Sequence, residues 1–406
     1  MEALPRLAGE LLRQRIRAFP ITVLTGARQT GKSTLVRAGL ADDERLYVTL
    51  DTLGVRDEAR RAPADLVRRA PRMTLDEVQR APDLLLAVKA AADEERRAGR
   101  FVLTGSANLL LMRQVSETLA GRAQYLTLWP MTRREQRGEG TAGCWDEFFE
   151  HPAGAWAECV RGRPAAREAW QALARRGGYP TPAVELATDE ERGWWFDGYT
   201  RTYLERDLQE LSSIEHLADF RRLMRAACLR LGNLLNQADL ARDVSLAPST
   251  CQRYLNLLEV SYQFVPLPAY SVNRTKRLVK SPKVYWSDPG MAMFLAGEAE
   301  PRGAHLENIV LLDLLAWRDT RIGRPEILYW RTTKGAEVDF VVEWNGRLLP
   351  IEVKASREVG HADARHLKLF LSEYPTEALG GVVLYDGDEV FWLAERVLAA
   401  PWWRVL

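Results

Sequence analysis

Short apolar runs alternate with amphipathic stretches over the first 135 residues. Residues 20–25 form a β-branched run, a polar loop containing glycine follows, and residues 35–41 have a helical pattern. Residues 100–104 and residues 124–129 form further apolar runs that predict strands. Because strands and helices alternate, the pattern predicts an α/β fold for this part of the chain.

The middle of the chain has mainly helical patterns. Gly and Pro cluster at residues 177–182, which predicts a break between structural units, and a helical run covers residues 189–211. Further helices are predicted at residues 220–231, 235–244 and 249–258.

The C-terminal part combines one amphipathic helix with apolar strands. The helix is predicted at residues 306–317, and strands are predicted at residues 327–331, 337–344 and 348–354. A second α/β unit is therefore expected here.

The composition sets limits on the class of protein. A chain of 406 residues predicts two to three domains at roughly 150 residues each. Lys and Arg number 56 and Asp and Glu 55, so the net charge of +1 gives no sign of a polyanionic partner. A nucleic-acid surface would have to arise from local segregation of charge.

Cysteine usage and hydropathy point to a cytoplasmic protein. The four cysteines lie far apart without a C-x-x-C pair, which argues against a disulfide framework and against structural zinc. No apolar stretch approaches the roughly 20 residues that span a bilayer, and residues 1–20 lack the apolar run of a signal peptide. We therefore expect no membrane partner.

A glycine-containing loop joins the first predicted strand to the first helix. Its spacing matches G-x-x-x-x-G-K-[ST], in which backbone N–H groups surround phosphate oxygens. Lys32 is expected to reach the β and γ phosphates of ATP, and the Ser33 hydroxyl is expected to bind Mg²⁺. The expected nucleotide-binding residues of the loop are Gly26, Ala27, Arg28, Gln29, Thr30, Gly31, Lys32, Ser33 and Thr34.

An acidic pair follows a short run that contains Met73 and Leu75. Asp76 is expected to hold Mg²⁺ through water, and Glu77 is expected to polarise the attacking water. These roles, together with Lys32, indicate hydrolysis of ATP. The alternative is a solvated helix start in which both carboxylates favour the helix N-terminus.

Three further polar residues are candidates to face the nucleotide. Ser106 and Asn108 follow the strand at residues 100–104, where a side chain lies beside the γ-phosphate, although a capped turn explains them as well. Arg122 precedes the next strand and is a candidate to face nucleotide in its own or a neighbouring subunit.

The order of four motifs resembles bacterial and archaeal AAA-type ATPases that carry a C-terminal domain of unknown function 4143. The motifs are Thr-Gly-Ala-Arg-Gln-Thr-Gly-Lys-Ser-Thr, Leu-Asp-Glu-Val-Gln, Leu-Thr-Gly-Ser-Ala and Leu-Ala-Gly-Arg. The resemblance covers nearly the whole chain. It implies an AAA-like ATPase core, a winged-helix segment and a domain similar to PD-(D/E)xK nucleases.

The resemblance also implies a role for Arg206. This residue lies in Tyr-Leu-Glu-Arg-Asp-Leu, which is similar to a family element that closes the nucleotide cleft. Pairing of surface charges one helical turn apart explains Arg206 equally well.

A helix-turn-helix is predicted between residues 235 and 258. Asn236 and Ser249 suit the two N-caps, and Pro248 blocks helix continuation across the turn. The second helix would expose side chains suited to phosphates and base edges. These side chains are Thr250, Gln252, Arg253 and Asn256.

A strand is predicted at residues 260–270, and the segment after it carries cations without an acid. It has the composition of a basic wing, and its cations are Arg274, Lys276, Arg277, Lys280 and Lys283. DNA is therefore the expected partner of residues 250, 252, 253, 274, 276, 277 and 280. The alternative is a helix-turn-helix that docks another protein.

Acidic residues interrupt the apolar strands near the C-terminus. Asp339, Glu352 and Lys354 form a D…E-x-K pattern across a hairpin, and Glu307 lies on the preceding helix. The carboxylates are expected to hold Mg²⁺, and Lys354 is expected to position the attacking water of a nuclease-like site. The alternative is cross-strand ion pairing.

The predicted fold class is therefore α/β multidomain with four segments. We expect an AAA+-like P-loop ATPase core at residues 1–135, a helical lid or linker at 136–215, a winged helix at 216–285 and a restriction-endonuclease-like domain of the PD-(D/E)xK type at 286–406.

The leading functional prediction is an ATP-hydrolysing protein that acts on DNA as a motor or switch, with branched, recombination and repair DNA among the substrates considered. One alternative is an ATP-gated, Mg²⁺-dependent endonuclease. The other is a protein-remodelling or regulatory ATPase without DNA. A homo-oligomer is compatible with all three.

Overall fold

The computed structural model describes residues 3–40, 45–105, 119, 121–202 and 216–406. Its N-terminal strands are β1 (Ile21–Thr25), β2 (Arg45–Thr49), β3 (Arg72–Asp76), β4 (Phe101–Thr104) and β5 (Ala123–Thr127). The helices around them are α1 (Ala8–Ala18), α2 (Lys32–Gly39), α3 (Leu53–Arg61), α4 (Pro63–Leu66) and α5 (Leu84–Glu94), with a 3₁₀ turn at Val78–Arg80. The strands form one sheet in the order β2-β3-β4-β1-β5, and each recorded pair is parallel.

Both faces of this sheet are covered, which explains why its strands are continuous apolar runs. Val23 packs with Val88 of α5 on one face, whereas Leu24 packs with Leu12 of α1 on the other. Parallel strands end at a common edge of the sheet, and β4 lies between β1 and β3. The loop after β1 and the acidic end of β3 are therefore brought to the same edge.

The C-terminal part contains a second, mixed sheet. Its strands are β8 (Glu326–Arg331), β9 (Glu337–Trp344), β10 (Arg347–Lys354), β11 (Gly381–Tyr385), β12 (Phe391–Ala394) and β13 (Val397–Pro401), in the order β12-β13-β11-β10-β9-β8. The three predicted strands are confirmed as β8, β9 and β10, which are antiparallel neighbours. Strand β11 is parallel to both β10 and β13.

Helices cover the two faces of the C-terminal sheet. They include α16 (Gly303–Arg318), α17 (Arg365–Glu373) and α18 (Trp402–Val405), whereas α15 (Pro289–Ala296) packs mainly on helices that lie earlier in the chain. Leu311 of α16 packs with Phe340 of β9 on one face, and Phe370 of α17 packs with Val341 on the other. The alternating side chains of β9 thus serve two separate clusters.

Three helices and a hairpin occupy residues 217–286. They are α11 (Leu217–Cys228), α12 (Gln237–Asp243) and α13 (Pro248–Val260), followed by the antiparallel strands β6 (Phe264–Leu267) and β7 (Lys283–Trp286). The Asn236 cap is confirmed, because its side chain accepts hydrogen bonds from the N–H groups of Ala238 and Asp239 at 3.0 and 3.2 Å. The Ser249 cap is wrong: Ala247 is the N-cap and Pro248 is the first helical residue.

The basic segment in this hairpin differs from the prediction. Residues Arg274–Val279 form a short helix, α14, because the Asn273 side chain caps the N–H of Thr275 at 3.0 Å. The predicted strand at 260–270 is limited to β6, since residues up to Ser261 complete the last turn of α13.

The remaining helices lie between the two sheets in sequence. They are α6 (Arg133–Gln136), α7 (Trp145–Glu150), α8 (Trp156–Gly162), α9 (Trp170–Arg176) and α10 (Asp189–Tyr199), with a 3₁₀ turn at Ala153–Ala155 and a π turn at Thr181–Glu185. The N–H of Cys144 donates to the carbonyl of Val405 at 2.8 Å, and the Trp145 indole donates to Asp313 at 2.5 Å. Residues 144–162 therefore pack on the C-terminal unit, although they fall inside the segment 136–215 that was predicted as a helical lid or linker.

Two predicted domain boundaries cut through regular structure. The boundary after residue 135 falls inside α6, and the boundary after residue 285 falls inside β7. One hydrophobic cluster contains Trp145, Tyr285 and Leu406, so the three predicted segments after residue 135 contribute to one interior, and a second cluster fills the other face of the C-terminal sheet. The four cysteines are free. In the described part of the chain, no helix combines the length and hydropathy needed to cross a bilayer.

Candidate nucleotide site and C-terminal carboxylate cluster

The loop after β1 has the backbone conformation of a phosphate-binding loop. Gly26 has φ of 138° and Gly31 has φ of 91°, values that favour glycine, and Gln29 between them has φ of 59°. A Cβ atom at Gly26 would overlap the carbonyl of Leu128. Both glycines therefore suit the backbone of the turn, and Gly26 is also required by the close approach of Leu128, the residue after β5.

Lys32 begins α2 and is held inside the loop. Its Nζ donates to the carbonyl oxygens of Gly26 at 3.2 Å and Ala27 at 2.6 Å. Burial lowers the pKa of Lys32 to about 8, although the charges of Glu77 and Asp76 oppose this shift. An ammonium whose acceptors are only carbonyl groups can gain energy from an incoming phosphate.

Asp76 at the end of β3 accepts hydrogen bonds from hydroxyl groups. The Ser33 hydroxyl lies 2.9 and 3.1 Å from its two oxygens, and the Tyr47 hydroxyl lies 2.5 Å from Oδ2. The Thr104 hydroxyl at the end of β4 also donates to Asp76. A hydroxyl in contact with a carboxylate fits the oxygen ligands that Mg²⁺ prefers, so Ser33 and Asp76 would hold the ion.

Glu77 lies next to this group in a left-handed conformation, with φ of 59°. Its N–H donates to the Thr104 hydroxyl at 3.3 Å, and the Gln79 side chain donates to its carboxylate. The turn directs the chain away from the sheet directly after Asp76. Gln79 thereby holds the carboxylate that was predicted to polarise water.

A cavity of about 320 Å³ opens beside the loop. Its lining comes from the N-terminal segment, from α2 and from the π turn, and includes Leu4, Pro5, Gly31, Thr34, Pro180 and Val184. Arg6 closes one side, because its guanidinium donates to the carbonyls of Thr30 and Trp129 at 2.7 Å each. The cavity is largely apolar and adjoins the phosphate loop.

Two tyrosines connect the loop region to the middle helices. The Tyr199 hydroxyl of α10 donates to the carbonyl of Arg28 at 3.3 Å. The Tyr262 hydroxyl, just after α13, lies 3.0 Å from the Thr25 hydroxyl at the end of β1. Tyr199 is also bonded to the buried side chains of Tyr179 and Gln263 at 3.2 Å each. The loop is therefore in direct contact with the segment that contains α13.

The C-terminal carboxylates assemble as a cluster, which we call the carboxylate cluster and define as Glu307, Glu337, Asp339 and Glu352. Asp339 accepts from Lys283 at 3.1 Å and from the N–H of Val353 at 3.0 Å. Lys283 also lies 2.6 Å from Glu337. Each of these acidic side chains therefore has a donor from its own chain.

The other two members of the cluster are bound in the same way. The Tyr285 hydroxyl donates to Glu307 at 2.5 Å, and Lys354 donates to Glu352 at 2.7 Å. Burial, together with the charge of Asp339, raises the pKa of both Glu307 and Glu352. The second oxygen of Glu352 is buried and has no hydrogen-bond partner.

The carboxylate cluster does not fit a divalent metal as it stands. Among residues 3–40, 45–105, 119, 121–202 and 216–406, no group of three His, Cys, Asp or Glu side chains is arranged to hold a metal ion. The expectation that Glu307, Asp339 and Glu352 bind Mg²⁺ is therefore corrected, because the structure brings the residues together but pairs them with lysine and tyrosine.

Three family models match the chain. An AAA domain matches residues 18–136, a domain of unknown function 8612 matches residues 167–302, and a domain of unknown function 4143 matches residues 302–405. The uncharacterised proteins Rv2008c of Mycobacterium tuberculosis and Mb2031c of Mycobacterium bovis are each 31% identical to the chain, over 98% of it and 83% of each relative. The chain belongs to the family of AAA-type ATPases with a C-terminal domain of unknown function 4143.

Similarity to solved structures is weaker. The Walker-type ATPase PABY2304 of Pyrococcus abyssi is 16% identical with a TM-score of 0.46, over 71% of this chain and 94% of that one. A RuvB structure of Thermotoga maritima is 16% identical with a TM-score of 0.29, over 67% of this chain and 91% of that one. Both scores are below 0.5, and the family assignment of this AAA-type ATPase rests on the sequence matches.

The other predicted nucleotide-facing residues of this AAA-type ATPase have different outcomes. Arg122 precedes β5 and pairs with Asp93 at 2.6 Å, at the edge of the sheet opposite the phosphate loop. It therefore does not face the nucleotide of its own subunit, and a role toward a neighbouring subunit stays a prediction. Ser106, Asn108 and Arg206 lie outside the described residues.

The residues predicted to bind DNA fall into two groups. Gln252, Arg253, Lys276 and Lys280 are exposed, and Thr250 is half-buried. Arg274 is exposed but lies 3.1 Å from Glu343. Arg277 is buried and pairs with Glu326 at 2.7 Å and Glu343 at 2.6 Å, so the predicted contact with DNA would require these ion pairs to open.

Sequence reasoning missed several residues of the two sites. Thr104 stands inside the motif Leu-Thr-Gly-Ser-Ala, so its position at a strand end was a usable signal. Gln79 is the last residue of the motif Leu-Asp-Glu-Val-Gln, which was also a usable signal, whereas Tyr47 lies in no motif. Lys283 was grouped with the cations of the basic wing, and nothing in its neighbourhood along the chain indicates acidic partners more than fifty residues away.

Proposed function

We propose that this AAA-type ATPase hydrolyses ATP at the phosphate loop and uses the cycle as a switch that changes its binding to DNA. The observation that carries the proposal is the contact between Ser33 and Asp76, with Lys32 buried in the loop beside them. These are the groups that bind the phosphates and Mg²⁺ of ATP, and they lie together at one edge of the sheet.

The chemistry assigned to each group follows from its surroundings. The N–H groups of the loop and Lys32 would bind phosphate oxygens, and Mg²⁺ at Ser33 and Asp76 would neutralise charge that develops on them. Glu77, held by Gln79, would orient the attacking water and accept its proton. The apolar cavity between Pro5 and Pro180 would take the base.

The DNA part of the proposal is supported by chain order and exposure. Helices α11, α12 and α13 followed by the β6–β7 hairpin have the order of a winged helix, and an isolated β-bridge joins Leu234 to Lys283 of the hairpin. On α13, Gln252, Arg253 and Asn256 form an exposed polar face. Amide and guanidinium groups of this kind bind phosphates and base edges.

The link between ATP and DNA is proposed to be the contact of Tyr262 with Thr25. Tyr262 follows α13 directly, and Thr25 is the last residue before the phosphate loop. A change in the loop on hydrolysis would therefore reach the proposed DNA-binding helix through one hydrogen bond and the ring contact of Tyr262 with Trp129. Such coupling requires that the two states make different contacts.

A second candidate function is a regulatory ATPase that docks another protein through α13. The observation that favours it is that Glu343 pairs with both Arg274 and Arg277, which removes two of the cations counted for DNA. A face with less positive charge binds polyanions less strongly.

The deciding experiment measures ATP turnover alone and with duplex, single-stranded or branched DNA. Lys32→Ala controls for contaminating ATPases and should bind no nucleotide. We expect DNA to change the rate, and we expect Gln252→Ala/Arg253→Ala to lose this response. Arg242→Ala, an exposed residue of α12 that pairs with Asp239, is the matched control and should retain it. A rate of ATP turnover that none of the DNA substrates changes, together with a lack of DNA binding, would favour the docking function.

A further inference from the structure

Strand β7 projects two side chains into the carboxylate cluster. Lys283 and Tyr285 are two residues apart and so lie on the same face of the strand. Lys283 bonds Asp339 and Glu337, and Tyr285 bonds Glu307. The hairpin of the middle segment thus supplies donors to carboxylates of α16 and β9.

We propose that Lys283 is the resident cation of the carboxylate cluster, where it takes the place that a divalent metal would need. The cluster is then a closed ionic contact between the hairpin and the C-terminal sheet. It does not bind Mg²⁺ while β7 stays in this position. This inference is independent of ATP hydrolysis and of DNA binding by α13.

The charge balance of the cluster supports this assignment. Buried carboxylates need a compensating cation, and the Lys283 side chain is 3% exposed. Burial alone would lower the pKa of Lys283, but the charges of Asp339, Glu307 and Glu337 outweigh burial and raise it. Lys283 therefore stays charged, and its ammonium lies between oxygens that a metal would have to share.

The backbone of β7 fixes Lys283 in place. Strand β7 pairs with β6, and the Asn308 side chain of α16 bonds both the N–H and the carbonyl of Trp286, at 2.9 and 2.8 Å. Asn308 is fully buried. The backbone of Lys283 is therefore held next to the carboxylate cluster, with its ammonium in reach of Asp339 and Glu337.

The inference bears on the endonuclease alternative. Cleavage at this site would require a divalent ion at Asp339 and Glu352, and Lys354 is also engaged by Glu352. On our proposal the chain does not cut DNA in this conformation. The unpartnered oxygen of Glu352 marks the point at which a metal could enter once Lys283 is gone.

The test is calorimetric titration of the full chain with Mn²⁺, with every variant made in an Asp76→Asn background so that the phosphate loop binds no metal. Lys283→Met should gain one Mn²⁺ site, and Lys283→Met/Asp339→Asn should lose it. In chains with native Lys283, the Mn²⁺ titration should be the same with and without Asp339→Asn. Mn²⁺ should also raise the Tm of Lys283→Met and of no other variant.

Two outcomes would overturn the proposal. One is Mn²⁺ binding by the chain with native Lys283 that Asp339→Asn abolishes. The other is folded Lys283→Met that gains no site. If Lys283→Met does not fold, the comparison of native Asp339 with Asp339→Asn decides: equal titrations support the resident cation, and a lost site refutes it.

Discussion

The phosphate loop and the carboxylate cluster each place a buried lysine close to acidic side chains, but the two lysines have different hydrogen-bond acceptors. In the loop, Lys32 donates to carbonyl groups, and Asp76 accepts from the neutral hydroxyls of Ser33, Tyr47 and Thr104. In the cluster, Lys283 donates to Asp339 itself. Neutral donors position a carboxylate without cancelling its charge, whereas an ammonium cancels it.

The pKa shifts of the two lysines reflect this difference. Burial lowers the pKa of Lys32 to about 8, while neighbouring carboxylates raise the pKa of Lys283 above its ordinary value. Lys32 is stabilised when an anion binds, whereas the charge of Lys283 is already balanced by carboxylates. A ligand-binding site thus contains a charge that its own residues do not balance, whereas a structural contact does not. The residue types alone do not distinguish the two kinds of site.

The largest expected effect is the loss of ATP hydrolysis when Glu77 is replaced, because the phosphate loop is the one of the two sites that we propose to be catalytic. Glu77→Gln should lower the rate of ATP hydrolysis by about 10²–10⁴-fold, because the group that accepts the proton of water is removed. ATP affinity should stay near wild type, since Lys32 and Ser33 are untouched. Phosphate release and binding of a fluorescent ATP analogue measure the two quantities. Unchanged turnover would remove Glu77 from the mechanism.

The comparison can be sharpened by placing an ammonium beside Asp76. Tyr47 lies 2.5 Å from Asp76, and a lysine at this position has a similar reach. Tyr47→Lys should lower Mg²⁺-dependent hydrolysis by about tenfold or more, as a charge-assisted bond of ~1.5–3 kcal/mol now competes with the metal. Tyr47→Phe is the control and should lose only a few-fold. Equal activities of the two variants would show that a cation next to Asp76 does not prevent Mg²⁺ from binding there.

The pH dependence of nucleotide binding provides a third test. Lys32 has a pKa of about 8 when no nucleotide is bound, and bound phosphates raise it. Binding therefore takes up a proton above pH 8, and ATP affinity should fall with rising pH by up to about tenfold per unit. Below pH 8 this contribution should be constant. Isothermal titration between pH 7 and 9.5 measures the slope, and Lys32→Arg, which stays charged, should flatten it.

The smallest expected effect separates exposed cations from paired ones in the basic segment. Lys276→Ala/Lys280→Ala should reduce the slope of log affinity for DNA against log salt by about 0.9 for each phosphate that the protein no longer neutralises. Arg277→Ala should leave this slope unchanged and lower the Tm instead, because it removes the buried guanidinium that pairs with Glu326 and Glu343. A change in slope on removal of the Arg277 side chain would mean that its ion pairs open on DNA.

The sequence was sufficient for the parts of the molecule that local spacing controls. The phosphate loop, the strand before Asp76 and the three strands around Asp339 and Glu352 were predicted correctly, since glycine conformation and strand alternation act over a few residues. The helix at 274–279 was not predicted, because a run of cations carries no signal for the Asn273 cap that begins it.

The pairing of charged side chains could not be predicted from neighbouring residues in the sequence. Arg277 and Lys283 were both counted as free cations, but each meets acids that follow it by dozens of residues. Opposite charges attract regardless of sequence separation, so only the tertiary fold selects the partner. The same holds for Tyr47 and Thr104, whose hydroxyls meet at Asp76 because β3 lies between β2 and β4.

The interior shared by three predicted segments determines how this part of the chain unfolds. Trp145, Tyr285 and Leu406 come from three different predicted segments but belong to one buried cluster. Opening any one segment would expose apolar surface of the other two, so these residues should lose their structure in a single cooperative transition. A fragment ending at residue 285 would cut β7 and expose apolar side chains of that cluster to water. The hairpin and the C-terminal sheet should therefore unfold together.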